Sequence, residues 1–252
     1  MPRLTSSNNM QVMQIPGQGS FQFSAIRLEN LGATEYTLVT IVTDITASVS
    51  SFAKELLNCV KNIVEACKKS PRSDNLLLRM LTFNTELHEI HGFKPLAEID
   101  PNDYKPFRPK GMTALYDAAY SGIGATLEFS KRLLNQDFGV NGCVYIITDG
   151  MDNASTVTPK TIADKMKSAV GGEEIESLVI VLVGLINPND RHAKDVRSAL
   201  TTFQVEAELN QFVDAGDATP QRLAKLAQFV SQSISAQSQA LGTGSPSQPL
   251  TF

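Results

Sequence analysis

The stretch Tyr36-Thr37-Leu38-Val39-Thr40-Ile41-Val42-Thr43-Asp44-Ile45-Thr46-Ala47-Ser48 decides the fold. Its first eight residues are β-branched, aromatic or apolar, which predicts a strand covered on both faces. The run stops at Asp44, and the turn behind it alternates carboxylate and hydroxyl side chains. Working outward, Phe52 to Lys69 places apolar residues at Phe52, Leu56, Cys59/Val60, Ile63 and Ala66/Cys67. That is helical spacing, closed by Ser70-Pro71. Leu76 to Phe83 reads as a second strand and Thr85 to Phe93 as a third.

A Pro-rich loop follows, through Pro95, Pro101, Pro106 and Pro109. A long helix is expected from Thr113 through Leu134. Gly142 to Thr148 is the next strand, stopping at Asp149. Pro159 to Val170 is helical, with Gly171-Gly172 beyond its end. Leu178 to Leu185 is the most apolar strand and is expected at the centre of the sheet. Asn189 to Leu200 reads as a short helix, Gln211 to Val213 as a short strand, and Pro220 to about Ser235 as the last helix. Alternation of this kind predicts an α/β fold, a doubly wound, mostly parallel sheet with helices on both faces. The Gly122-Ile123-Gly124 glycines lie inside a helix that no strand feeds, so they read as packing positions and not as a dinucleotide fingerprint.

The domain reading is a flexible N-terminal segment over 1–19, one domain over 20–235 with its core at about 36–235, and an uncharged flexible tail over 236–252. Residues Ser20 to Glu35 fit the alternation least well. The chain has 252 residues, 22 Lys+Arg and 26 Asp+Glu, for a formal net charge of −4. That balance argues against generic nucleic-acid binding, which needs a cationic surface. The hydrophobic content of 42% argues against disorder. Cys59, Cys67 and Cys143 form no C-x-x-C pair, and their odd number predicts reduced, buried thiols. The first ten residues lack a signal-peptide core, and the run Leu178 to Ile186 is too short to span a bilayer as a helix. A soluble cytoplasmic protein without membrane contact is the expectation.

In open parallel sheets, ligands bind outside the carboxyl ends of the strands. Three segments reach that edge: Asp44-x-Thr46-x-Ser48, Gly111-Met112-Thr113-Ala114-Leu115 and Thr148-Asp149-Gly150. Counting from Asp149 in the third segment, they bring two carboxylates (Asp44, Asp149) and three hydroxyls (Thr46, Ser48, Thr113). An all-oxygen set suits a hard cation, and the absence of His or Cys from these loops argues against zinc.

These segments resemble the metal-ion-dependent adhesion site of von Willebrand factor A (vWA) domains. That family carries D-x-S-x-S after the first strand, a Thr in G-x-T-x-L, and an Asp in T-D-G. The order and approximate gaps match, over roughly Tyr36 to Ser235. Thr46 stands where Ser is usual; the hydroxyl is kept and the added methyl narrows its rotamers. The resemblance implies a vWA/Rossmann-like fold in which Asp44, Thr46, Ser48, Thr113 and Asp149 surround one Mg²⁺ or Mn²⁺. It implies an open coordination position for an Asp or Glu of a partner protein. The activity implied is binding, not bond-breaking, and the chain is expected not to be an enzyme. Stand-alone intracellular vWA proteins of this size resemble bacterial adaptors. An AAA+ ATPase or another complex subunit is therefore the partner class the resemblance implies.

Weaker features surround this set. Lys105, Arg108 and Lys110 precede Gly111, and Arg191, His192 and Lys194 follow the strand at 178–185. They are read as a cationic rim facing an acidic partner, against the alternative of solvated loops. Asp152 and Asn153 are either outer groups orienting metal-bound water or turn residues at a helix entry. Glu86, His88, Glu89 and His91 show too few ligands for zinc and read as an exposed polar hairpin.

Two alternatives remain open at this point. One is a Mg²⁺-dependent phosphohydrolase of the haloacid dehalogenase type, with Asp44 as nucleophile and Asp149 and Asp152 as metal-binding acids. That chemistry wants a general acid two residues after the nucleophile, where this chain has Thr46. The other is a metal-free vWA scaffold.

Overall fold

The structure is a computed structural model that describes residues 9–17, 21–172, 174–244 and 249–252. Among the described residues eight strands form one sheet in the order β1-β2-β5-β4-β3-β6-β7-β8. They are β1 (Met10–Gln14), β2 (Gln22–Ile26), β3 (Glu35–Asp44), β4 (Leu76–Phe83), β5 (Leu87–Pro95), β6 (Gly139–Thr148), β7 (Ser177–Gly184) and β8 (Gln211–Asp214). Among the described residues five α-helices accompany them: α1 (Ala53–Lys68), α2 (Leu115–Leu134), α3 (Pro159–Gly171), α4 (Ala193–Glu206) and α5 (Pro220–Thr243). The pairs β4–β3, β3–β6, β6–β7, β7–β8 and β2–β5 are parallel; β1–β2 and β4–β5 are antiparallel.

Side-chain alternation along β3 sorts the core into two layers. Leu38 and Val42 face the layer built by α2, α3 and α4. Val39 and Ile41 face the layer built by α1 and α5. The expected helices on both faces are thus present. Gly122 and Gly124 let α2 press closely on its neighbours. A Cβ on Gly122 would lie 2.9 Å from Val42 Cγ2, and one on Gly124 would lie 2.7 Å from Ile15 Cγ2.

Several expectations need correction. The centre of the sheet is β3 with β4 and β6, whereas β7 lies next to the edge strand β8. β7 is apolar because α4 covers one face of it and the α5 layer the other. The 1–19 segment contains strand β1, which pairs with β2 and buries Met13 and Ile15. Residues 1–8 and 18–19 of that segment lie outside the described residues. Within the 20–35 segment, β2 extends the sheet beside β5.

The 236–252 segment is not all tail either. α5 runs to Thr243 and ends at Gly244, whose φ is +65°. Ala, Gln and Leu sustain a helix without charges, and Gln237 and Ser238 are buried on its inner face. Asn141 Nδ2 donates to Gln237 O at 2.8 Å, tying that turn to β6. Leu250 and Phe252 pack back on the same layer, with Phe252 edge-on to Phe229. Residues 245–248 lie outside the described residues. All three cysteines are free and buried, and burial pushes the Cys59 and Cys67 thiols up to about 12.

Candidate metal centre

Register brings the strand ends flush. Asp44 pairs with Phe83, Thr43 with Ile147, Thr148 with Gly184, and Gly184 with Asp214. The last residues of five adjacent strands therefore share one edge, and the loops leaving them meet there. Ile45 N continues the ladder to Phe83 O at 2.8 Å before the chain turns. Thr46 N then donates to Asp44 Oδ1 at 2.8 Å, closing an Asx turn that swings Thr46 and Ser48 over the strand end.

The β4 end holds the second loop. Ala114 N donates to Asn84 O at 2.9 Å, and Met112 N donates to Thr85 Oγ1 at 2.9 Å. Gly111 makes the approach possible. Its φ is +77°, and a Cβ there would lie 2.7 Å from Thr85 Oγ1. Asn153 clamps the next residue from the other side. Its Oδ1 accepts from Thr113 N at 2.7 Å, and its N donates to Thr113 O at 2.9 Å.

The five predicted oxygen-bearing side chains come together at this edge. Ser48 Oγ donates to Asp149 Oδ1 at 2.8 Å and lies 3.0 Å from Thr46 Oγ1. Thr148 Oγ1 donates to Asp44 Oδ2 at 2.6 Å. Thr113 Oγ1 would touch a Cβ on Gly150 at 3.8 Å, which puts it beside the Asp149 loop. Asp44, Thr46 and Thr113 are buried, Asp149 is half-buried and Ser48 is exposed.

Electrostatics sharpens the picture. Burial raises the Asp44 carboxyl, and the hydrogen bonds from Thr148 and Thr46 offset only part of that rise. Burial, followed by the Asp44 charge, raises Asp149 to about 6. Two carboxylates that are dehydrated together and repel each other form a site that a cation relieves. Two carboxylates with three hydroxyls also match the modest carboxylate count that Mg²⁺ takes. Among the described residues no group of three His, Cys, Asp or Glu converges anywhere, so a softer metal has no competing cluster there. The donor set fits a hard divalent cation.

The surrounding residues divide. Asp152 is occupied with the start of α2: its Oδ1 accepts from Tyr116 N at 3.3 Å and from Ser155 Oγ. Lys105, Arg108 and Lys110 are exposed on the loop beside Ile45, and Lys110 N donates to Ile45 O at 3.1 Å. Arg191 and Lys194 are exposed at the entry of α4. There Arg191 Nε donates to His192 Nε2 at 2.8 Å. A cavity of about 490 Å³ opens on that side, lined by Ser48, Asp149, Asp190, His192 and Asp217. Its aspartates oppose the cationic rim that Arg191 and Lys194 were expected to make. Met112 and Met151, at 53% and 40% exposed, flank the centre on both sides.

Sequence reasoning missed Thr148 and Asn153 as the groups that fix Asp44 and Thr113, and Asn84 and Thr85 as the anchor of the Gly111 loop. The signal for Thr148 was its place directly before Asp149. Glu89 and His91 are not an exposed hairpin; both are buried. For Glu89 the reason is Arg79, a cation inside strand β4. Its Nε donates to Glu89 Oε2 at 2.8 Å with both side chains fully buried. His91 Nε2 lies 2.8 Å from Tyr104 Oη and its Nδ1 lies 3.0 Å from Gly92 O.

No protein-family model and no curated protein matches the chain. Solved structures do. The PilB minor pilin from Streptococcus sanguinis matches with TM-score 0.53 and 13% identity, over 88% of this chain and 66% of that one. The pilus adhesin SpaC from Lactobacillus rhamnosus GG, in an open conformation, matches with TM-score 0.52 and 9% identity, over 90% and 34%. Proximal thread matrix protein 1 from the mussel byssus matches with TM-score 0.50 and 18% identity, over 80% and 47%. The chain thus spans between about a third and two thirds of the length of these structures. Among the described residues no helix is long and apolar enough to cross a membrane. At these identities the likeness is one of fold, and the fold is the vWA-like α/β sheet that the three motifs implied.

Proposed function

We propose that the chain is a divalent-metal-dependent protein-binding module of the adhesion-site type. The observation that carries this reading is the convergence of Asp44, Thr46, Ser48, Thr113 and Asp149 from three loops on one strand edge. These residues would hold Mg²⁺ or Mn²⁺, which supplies positive charge for capture of a carboxylate. The ligand is an Asp or Glu of a partner protein, entering from the solvent side at Ser48. Lys105, Arg108 and Lys110 favour an acidic surface around that residue. The working context is an intracellular complex in which the chain acts as an adaptor, with an AAA+ ATPase or similar subunit as partner class.

The phosphohydrolase alternative finds less support. Both Asp44 oxygens are engaged by Thr46 N and Thr148 Oγ1, and Thr46 supplies no general acid. Calorimetric titration of Mg²⁺ and Mn²⁺ into metal-stripped parent and Thr113→Ala tests the reading. Binding by the parent and its loss in the variant is the expected result. Binding indifferent to Thr113 indicates a carboxylate-only site and reopens the phosphohydrolase, which a Mg²⁺-dependent phosphatase screen then decides.

A further inference from the structure

A cavity of about 570 Å³ lies beside the proposed metal centre but is not part of it. The topology explains why it exists. On the face covered by α1 and α5, α5 packs on β3 and β6. Over β4 and β5 that face is roofed instead by the segment 96–110, through Leu96, Ile99 and Tyr104. Pro101, Pro106 and Pro109 lack N–H groups and fix φ, so this roof cannot settle as a regular helix or strand. The space left beneath it lies within the size range of small-molecule sites.

The lining has three kinds of surface. Met80, Ile90 and Phe107 are apolar. Lys105, Arg108 and Lys110 are exposed cations at its rim, opposed there by Asp103. Glu89 also lines the wall, but Arg79 and Ser24 already take up its carboxylate. Asn84 is the third kind. It is 2% exposed, and its Oδ1 accepts from Glu86 N at 2.9 Å. That bond fixes the amide orientation and leaves Nδ2 as a buried donor without a partner. That atom is shut off from solvent, so Asn84 closes the inner wall of the cavity and offers it no reachable donor.

We propose that this cavity binds a small organic anion. Its apolar body, aromatic or branched, packs on Met80, Ile90 and Phe107. Its acid group meets Lys105, Arg108 and Lys110 at the rim. None of the five proposed metal-binding residues lines the cavity, although it shares Lys105, Arg108 and Lys110 with the rim proposed for the partner.

The test uses anilinonaphthalene sulfonate, an aromatic anion whose fluorescence rises on leaving water, titrated into the full chain in chelator and again in Mg²⁺. Saturable one-to-one binding, unchanged by chelator, is expected. The pair Lys105→Glu with Arg108→Glu should weaken it by about tenfold or more at low salt, with a smaller effect at high salt. Ile90→Trp, which fills the cavity, should abolish it. Far-UV circular dichroism checks that each variant folds.

A second cavity, about 810 Å³ and lined by Leu127, Met166 and Leu178, supplies the control. A signal that ignores the first three substitutions and disappears with Met166→Trp belongs there and overturns the proposal. Absence of saturable binding overturns it as well. Parent-like affinity in the charge-reversal pair or in Ile90→Trp overturns it too.

Discussion

Thr148 Oγ1 donates to Asp44 Oδ2 at 2.6 Å, joining the last residue of β6 to the last residue of β3. The bond crosses the sheet at the edge where the proposed metal centre lies. It satisfies a carboxylate that is otherwise shut off from water. Thr148→Val keeps the branched shape and deletes the hydroxyl. It should cost about 1–3 kcal/mol, since a buried charged acceptor is left unpaired. Urea denaturation in chelator measures this. A change of less than about 0.5 kcal/mol would show that Asp44 finds another donor.

The carboxylate pair predicts an opposition between stability and binding. Asp149 is raised to about 6 by burial and by Asp44, so its charge near neutral pH works against the metal-free fold. Asp149→Asn should therefore raise the melting temperature in chelator. The same change should abolish stabilisation by metal. In the parent, Mg²⁺ at about 100 times its Kd should add about 2.7 kcal/mol. Thermal melts of both proteins, with and without Mg²⁺, check the two signs together. A parent that melts identically in chelator and in saturating Mg²⁺ contradicts the metal centre.

A second ion pair lies deep in the sheet. Arg79, at the register irregularity between Leu78 and Met80 of β4, forms an ion pair with Glu89 of β5, with both side chains wholly buried. Arg79 also reaches Ser121 O on α2 at 3.3 Å, and Glu89 accepts from Ser24 N on β2 at 3.0 Å. The pair thus links β2, β4, β5 and α2. Removing either partner alone strands a buried charge and should cost about 3–5 kcal/mol. The double variant Arg79→Met with Glu89→Leu should recover much of that loss. A double-mutant cycle by chemical denaturation decides; costs that merely add would mean that the two side chains do not stabilise each other.

How far the sequence carried the argument depends on which residues needed a distant partner. β3 and β4 were legible because apolar runs ending at an Asp or at Phe83 are local patterns. The candidate site was legible because its three segments each carry a short motif, and the sheet's parallel register brings their ends together. Glu89 and His91 were misread because their polarity is settled by Arg79 and Tyr104, ten and thirteen residues away. β7 was misplaced because an apolar run reports cover on both faces, not position in the strand order. α5 was cut short because an uncharged Ser/Gln/Ala stretch looks like a linker until its small-residue face meets β6. The bonds of Thr148 to Asp44 and of Asn153 to Thr113 went unread because a hydroxyl or an amide next to a motif says nothing about its direction.

His91 gives the fold a one-sided response to acid. Burial lowers its imidazole to about 4 from the usual 6.5, and the Lys94 and Arg79 charges push the same way. The neutral ring suits its contacts: Tyr104 Oη lies at one nitrogen and Gly92 O at the other. The sign follows from proton counting. Between pH 6.5 and 4 the unfolded chain holds the His91 proton and the folded chain does not, so stability is lost as the pH drops through that window. Above 6.5 the full contribution is present. Over the whole window the loss is about 3 kcal/mol, taking about 1.4 kcal/mol for each pH unit. Asp44 and Asp149 are raised in the folded state and act in the opposite direction, so the parent alone gives a mixed slope. Urea midpoints measured from pH 7.5 to 4.5 for the parent and for His91→Gln separate the two. The variant should be less stable at pH 7.5 and should lose less on acidification. Parallel pH profiles would mean that His91 takes up its proton in the folded state as readily as in the unfolded chain.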